Sequence, residues 1–155
     1  YPAELKAGDI PMYISRAKAR AYASELKDND LLITSDTIVW LNGGMLGKPQ
    51  DEEEAKAMLA RLSGQTHEVY TAVCFADKNG ELETWVDCTK VTFNTLSEED
   101  IDYYVSKYRP LDKAGAYGVQ EWIGYVGVTK MEGSYFNVMG FPICHVYERL
   151  KKYLR

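Results

Sequence analysis

Apolar side chains recur at helical spacing in four stretches of the chain, with strand-like runs between them. Over residues 11–26, Pro11 suits a first helical turn and Ile14, Ala17 and Ala21 fall at i, i+3 and i+7, which predicts a helix. Residues 31–41, LLITSDTIVWL, are β-branched and apolar enough for a largely buried strand. Asn42-Gly43-Gly44 then signals a tight turn. Asp51 can cap the next helix: Glu52, Glu53 and Glu54 load its first turn, Ala55, Met58, Leu59 and Leu62 form its stripe, and Gly64 ends it. Residues 67–94 read as a long hairpin turning at Lys78-Asn79-Gly80. Ser97 and Asp100 have capping-box spacing at the head of a helix reaching Tyr108, with Ile101, Tyr104, Val105 and Tyr108 inward. DKAGAYGVQ (112–120) and GYVGVTKMEGSYFNVMGFPI (124–143) are glycine-punctuated and read as loops and short strands. Pro142 opens a last helix that would bury Ile143, Val146, Tyr147, Leu150 and Leu154. The order α-β-α-β-β-α-β-β-α predicts an α/β or α+β fold with helices around a mixed sheet.

Composition narrows the class. A chain of 155 residues, 46% hydrophobic and 26% charged, suits one globular domain or two small lobes sharing a sheet. No apolar run is long enough to cross a membrane, and the first residues lack the apolar core of a secretory signal. A net charge of −5 argues against a nucleic-acid surface, which needs a broad basic patch. A small polyanion remains open to it, given local cations and a divalent metal. Cys74, Cys88 and Cys144 are far apart and form no CxxC pair, so free, buried thiols in a reducing compartment are expected. His67 and His145 cannot complete a zinc site with cysteines so placed.

Polar residues in unexpected places carry the chemistry. Asp36 and Thr37 interrupt the apolar strand, and an isolated buried carboxylate costs several kcal/mol or holds its proton. Lys48 returns after the turn, in LGKP. RAKAR puts Arg16 and Arg20 on one helical face and Lys18 on another. Asp112, Lys113 and Gln120 flank two glycines that would let backbone approach a ligand. Each has a plainer reading: a strand-end carboxylate accepting backbone N–H groups, a solvated lysine, the wet face of a helix, glycines serving turns, an exposed glutamine. GxGxxG and Walker patterns are absent. One carboxylate among lysines and glycine loops suits phosphoanhydride hydrolysis: the carboxylate holds metal or takes a proton from water, and the lysines neutralise phosphate charge.

SDTIV, then LGKPQDEEEAKAMLARLSGQTHEVYTAV, DKAGAYGVQ and GSYFNVMGFP, in that order over nearly the whole chain, resemble the Maf family of nucleoside triphosphate pyrophosphatases, named for septum-formation inhibition. The resemblance implies a two-lobed α/β fold with a central cleft, like that of the inosine triphosphatases. It implies hydrolysis of a nucleoside triphosphate to monophosphate and pyrophosphate with Mg²⁺ or Mn²⁺. By position, Asp36 matches the family's proton acceptor, and Lys18 and Lys48 match lysines facing the phosphates. Thr37 and Gln120 match positions tied to base choice, and the DT and GAYG-Q forms resemble the branch acting on dTTP and UTP. A carboxamide such as that of Gln120 offers the donor and acceptor that uracil and thymine require. Lys113 is a further expected substrate contact, and Asp36 and Asp112 are the expected metal-proximal carboxylates. The family opens with a strand and an S-x-S-P-R-R loop that supplies arginines and backbone N–H groups to the triphosphate. This sequence opens on Tyr1-Pro2 and has no such loop, so a single Maf-like domain lacking that segment is expected, with weak triphosphate binding if nothing precedes it.

The expectation is thus a cytoplasmic dTTP/UTP pyrophosphatase, with homodimerisation compatible with the family and with twelve tyrosines. Two rivals are a house-cleaning enzyme for modified nucleotides and a non-catalytic nucleotide-binding regulator of division.

Overall fold

A computed structural model describes residues 1–154. Helix α1 (Asp9–Tyr22) leads into strand β1 (Leu32–Leu41), and the Asn42-Gly43 turn folds a short β2 (Gly44–Leu46) back on it. Helix α2 (Glu52–Leu62), the hairpin β3 (Thr66–Asp77) and β4 (Gly80–Phe93), and α3 (Glu98–Tyr108) follow. After a glycine loop come α4 (Trp122–Gly127), β5 (Val128–Glu132), α5 (Tyr135–Met139) and α6 (Ile143–Leu150).

The strands form one sheet in the order β2-β1-β3-β4-β5. The α/β class is as expected, but where a mixed sheet was foreseen every pairing among the described strands is antiparallel. Short turns join β1 to β2 and β3 to β4, and a tight hairpin can make only an antiparallel pair. β2 covers only Val39–Leu41 of β1. Among the described strands, nothing pairs with that side of β1 from Leu32 to Ile38.

Successive side chains of β1 point to opposite faces. Its even positions meet α1, where Thr34 Oγ1 donates to the Ser15 carbonyl at 2.7 Å. Its odd positions meet the remaining helices. On that face one core cluster gathers Val39, Leu41, Val69 and Val91 with Leu59 and Leu62 of α2 and Tyr104 and Val105 of α3. A second, at the other end of the same sheet, joins Val73, Phe75, Trp85 and Val146. The middle of β1 lies between the two.

The stripes of α2 and α3 follow the sequence pattern. Asp51 caps α2 by accepting from the Glu54 amide, and Ser97 and Asp100 form a reciprocal capping box. Two helices differ from it. α1 buries Ile10, Pro11, Ser15 and Ala19 instead of the Ile14, Ala17 and Ala21 line, because the small Ser15 and Ala19 side chains let it sit close to the sheet. α6 buries only Val146, with Leu150 partly covered, while Ile143, Tyr147 and Leu154 are more than half exposed. Only one i, i+4 seam of that short helix reaches the sheet. The three cysteines are free, as expected, but Cys88 and Cys144 are exposed and only Cys74 is buried.

Candidate functional site

A cleft of about 350 Å³ opens beside the unpaired stretch of β1. Of the residues singled out in the sequence, Lys18, Asp36, Thr37, Lys48, Asp112, Lys113 and Gln120 border it, while Arg16 and Arg20 do not. Its size is at the lower end of small-molecule sites. The strand explains how one cleft takes both Asp36 and Thr37. The two side chains emerge on opposite faces, and at an uncovered edge both faces are reached from one side.

Asp36 is not buried alone. Lys18 of α1 donates to its Oδ1 at 2.9 Å and to the Ser35 carbonyl at 2.8 Å. An ammonium has three protons, so the third stays free for a ligand. Asp36 Oδ2 has no hydrogen-bond partner among the described residues. The pair is partly open, 46% for Lys18 and 19% for Asp36, so a ligand can reach it and its contribution to stability is small. RAKAR is therefore divided: Lys18 turns to the cleft, while Arg16 donates to Glu81 of the β3–β4 hairpin at 3.0 Å.

The opposite wall is the glycine loop. Gly115 has φ +68°, and a Cβ there would lie 3.0 Å from Val39 Cγ2, so only glycine lets the loop rest on β1. Its amide donates to the Gly47 carbonyl at 3.1 Å, tying the loop to the neighbour of Lys48. Gly118 leaves room for Lys113: a Cβ would fall 2.8 Å from Lys113 Cε and 2.6 Å from Glu121 Oε1. Beneath it, the buried Tyr104 hydroxyl accepts from the Gly118 amide at 3.0 Å and donates to Glu121 at 2.9 Å. Burial is the main cause that raises its pKa, so it stays a neutral donor. Tyr117 meets His67 Nε2 at 2.6 Å, and burial lowers the His67 pKa to about 4, so that imidazole is neutral near pH 7. Lys113 stands 3.6 Å from Asp112 and 3.8 Å from Glu121, while Lys48 has no carboxylate within 4 Å among the described residues.

No group of three or more His, Cys, Asp or Glu among the described residues could hold a metal by itself. The carboxylates bordering the cleft are Asp36 and Asp112. That donor set suits Mg²⁺ or Mn²⁺, hard cations that take one or two carboxylates and fill their shell with phosphate oxygens and water.

The sequence motif GSYFNVMGFP carries part of the family resemblance, but no site residue was expected on the third wall. Val138, Met139 and Gly140, at the end of α5, line the cleft with Val39, Val69 and Tyr117, and Gly140 lies against Thr37, where a Cβ would be 3.4 Å from its Oγ1. Behind them lie the fully buried Thr71 and Asn137. Threonine is ordinary in a strand, so Thr71 gave no signal; GSYFNVMGF held one, an asparagine inside an apolar run.

Residues 2–153 match the family described as Maf-like protein. The chain belongs to the Maf family. It is 54% identical over 152 residues to a protein of Bacteroides thetaiotaomicron named dTTP/UTP pyrophosphatase, covering 98% of this chain and 78% of that one. Proteins of the same name from Flavobacterium johnsoniae (53% over 150 residues, 97% and 77% covered) and Porphyromonas gingivalis (50% over 155 residues, 99% and 77% covered) are similar. The Maf match thus takes in all three walls of the cleft.

Proposed function

We propose that this chain is a nucleoside triphosphate pyrophosphatase that converts dTTP and UTP to the monophosphate and pyrophosphate. The observation that carries the reading is one carboxylate, Asp36, in a single cleft with Lys18, Lys48 and Lys113, in a chain about half identical to proteins named for that reaction. Water attacks the α-phosphorus, the bond from that phosphorus to the bridging oxygen breaks, and pyrophosphate departs. Asp36 Oδ2 takes the water's proton. The free proton of Lys18, with Lys48 and Lys113, meets the charge on the phosphate oxygens. A divalent cation would be held by Asp112 and the phosphates, with Asp36 as the neighbouring carboxylate, and when bound it would neutralise phosphate charge. Thr37 and Gln120 face the base.

The reading carries a cytoplasmic location, in keeping with the free thiols. No helix among the described residues is long and apolar enough to cross a membrane. Exposed aromatics such as Tyr125, Tyr135, Phe136 and Tyr147 offer area for a homodimer contact.

The test is release of TMP and pyrophosphate from dTTP with Mg²⁺ by the complete native polypeptide, beside Asp36→Asn. The expected result is product from the wild type and a loss of about 10³-fold or more in kcat in a variant that stays folded, the order seen when a group acting in the transition state is removed. Wild-type rates in Asp36→Asn would overturn the role of Asp36. Nucleotide binding without product would favour a regulator, and a panel in which modified nucleotides outrun dTTP and UTP would favour a house-cleaning enzyme.

A further inference from the structure

Three hydroxyl and carbonyl groups form a line from the cleft into the core. Thr37 on β1 sits directly opposite Thr71 on β3, and their Oγ1 atoms are 2.9 Å apart. Thr71 Oγ1 lies 2.8 Å from the backbone carbonyl of Asn137 in α5. Thr71 and Asn137 are fully buried, and the Asn137 side chain is pinned by donating to the Val69 carbonyl at 3.2 Å and to Thr89 Oγ1 at 2.9 Å. Only Thr37 of the line reaches the cleft.

The chemistry of the line fixes its direction. A carbonyl can only accept, so the single hydroxyl proton of Thr71 goes to Asn137. Thr71 then has only lone pairs to offer Thr37, so the proton of Thr37 goes to Thr71. What Thr37 turns to the cleft is a lone pair. A free threonine could rotate to donate or accept, but this one is held as an acceptor from behind.

Its surroundings say what part of a ligand it meets. Lys18 and Asp36 lie on the α1 side of β1, while Thr37 shares the other side with Val39 and Val69, next to Gly140. The charged side suits phosphate and the apolar side suits a base. We propose that Thr71, anchored by Asn137, is a positioning residue that holds the Thr37 hydroxyl as a hydrogen-bond acceptor, so that the cleft selects a pyrimidine with a ring N–H. Uracil and thymine carry a proton on N3; cytosine carries a lone pair there, which would face the lone pair of Thr37. This rests on the pyrimidine-nucleotide reading above and adds how the base is chosen. A site built around a fixed polar partner rejects the mismatched analogue strongly, because the buried group is left unpaired.

The test is calorimetric binding of UMP and CMP, which needs no turnover. Wild type is expected to prefer UMP by about 10-fold or more. Thr71→Val keeps the shape and frees the Thr37 hydroxyl to donate, and the Asn137 carbonyl still accepts from the Gly140 amide at 3.0 Å. In that variant the preference is expected to fall to within about threefold, and Thr71→Ser is expected to restore it, which a merely structural role for Thr71 would not do. Should Thr71→Val fail to fold, Thr37→Val removes the acceptor at the surface and is expected to lose the same preference. Equal affinities in the wild type, binding of neither monophosphate, or an unchanged ratio in the variants would overturn the proposal. A wild type that prefers UMP yet releases no pyrophosphate from UTP would overturn the hydrolase reading alone.

Discussion

The two long walls of the cleft carry similar side chains in different electrostatic states. On the sheet wall, Lys18 and Asp36 are already bonded to each other, and Lys18 also to a backbone carbonyl. On the loop wall, Lys48 has no carboxylate in reach among the described residues, and Lys113 is held only loosely between Asp112 and Glu121. The first wall is self-neutralised and geometrically defined; on the second the formal charges also balance, but Asp112 and Glu121 both lean on Lys113, which leaves the Lys48 ammonium unpaired among the described residues. An anion should therefore gain most of its attraction from the loop wall and meet its reactive partner on the sheet wall. The walls are also built differently. β1 is fixed by backbone pairing with β3, whereas the loop depends on buried side-chain contacts through Tyr104 and His67.

The largest effect expected from this contrast is on Lys48. A hydrogen bond to a charged group contributes about 1.5–3 kcal/mol, so Lys48→Ala should lower kcat/KM for dTTP by roughly 10–100-fold. Lys18→Ala should raise KM less than Lys48→Ala does, because the Lys18 charge is already opposed by Asp36, and should act more on kcat. Steady-state kinetics of the two variants side by side decide it. Equal rises in KM would break the contrast between the walls.

How legible the walls were follows the same division. The sheet wall could be read because Asp36 is chemically conspicuous in an apolar strand. Lys48 and the 112–120 loop stood out by their glycines and charges. The supports did not stand out. Tyr104 looked like any member of an amphipathic stripe, and nothing local says that its hydroxyl ends beneath Gly118. His67, the first residue of the expected 67–94 hairpin, was weighed only as a zinc ligand, yet it is 1% exposed. Helical and strand periods report which face is inward, and so the α2 stripe was foreseen to the residue and the α3 stripe all but Tyr108, which is only partly buried. They do not report how much sheet remains to be covered, which is why α6 was expected to bury a stripe of which only Val146 is fully covered. The long-range pairings that bring Thr37, Thr71 and Asn137 together have no local signature at all.

The next effect concerns the loop wall's dependence on a neutral imidazole. His67 has its pKa lowered to about 4 by burial, against about 6.5 for an unfolded histidine. Above pH 6.5 it is neutral in both states and has no effect. As pH falls from about 6.5 toward 4 the unfolded chain takes a proton that the folded one refuses, so stability declines through that window and levels off below it. At pH 5 the loss is about 2 kcal/mol. Urea unfolding at pH 7.5 and pH 5 should show it, and His67→Gln, which can still meet Tyr117 but does not titrate, should reduce the difference by about that amount. An unreduced difference in the variant would place the acid sensitivity elsewhere.

The smallest expected effect sharpens the contrast most, because it touches the support of one wall and none of the charges. Tyr104→Phe removes a hydroxyl that accepts from the Gly118 amide and donates to Glu121. A buried donor left without a partner costs about 1–3 kcal/mol, and the already packed ring limits the loss to about 1.5 kcal/mol in unfolding. With Gly118 and Glu121 released, Lys113 loses the surface it lies on, so KM for dTTP should rise about threefold while kcat, set across the cleft at Asp36, stays near the wild type. A fall in kcat with unchanged KM would mean that the loop wall takes part in the chemical step, and the division of labour between the two walls would have to be abandoned.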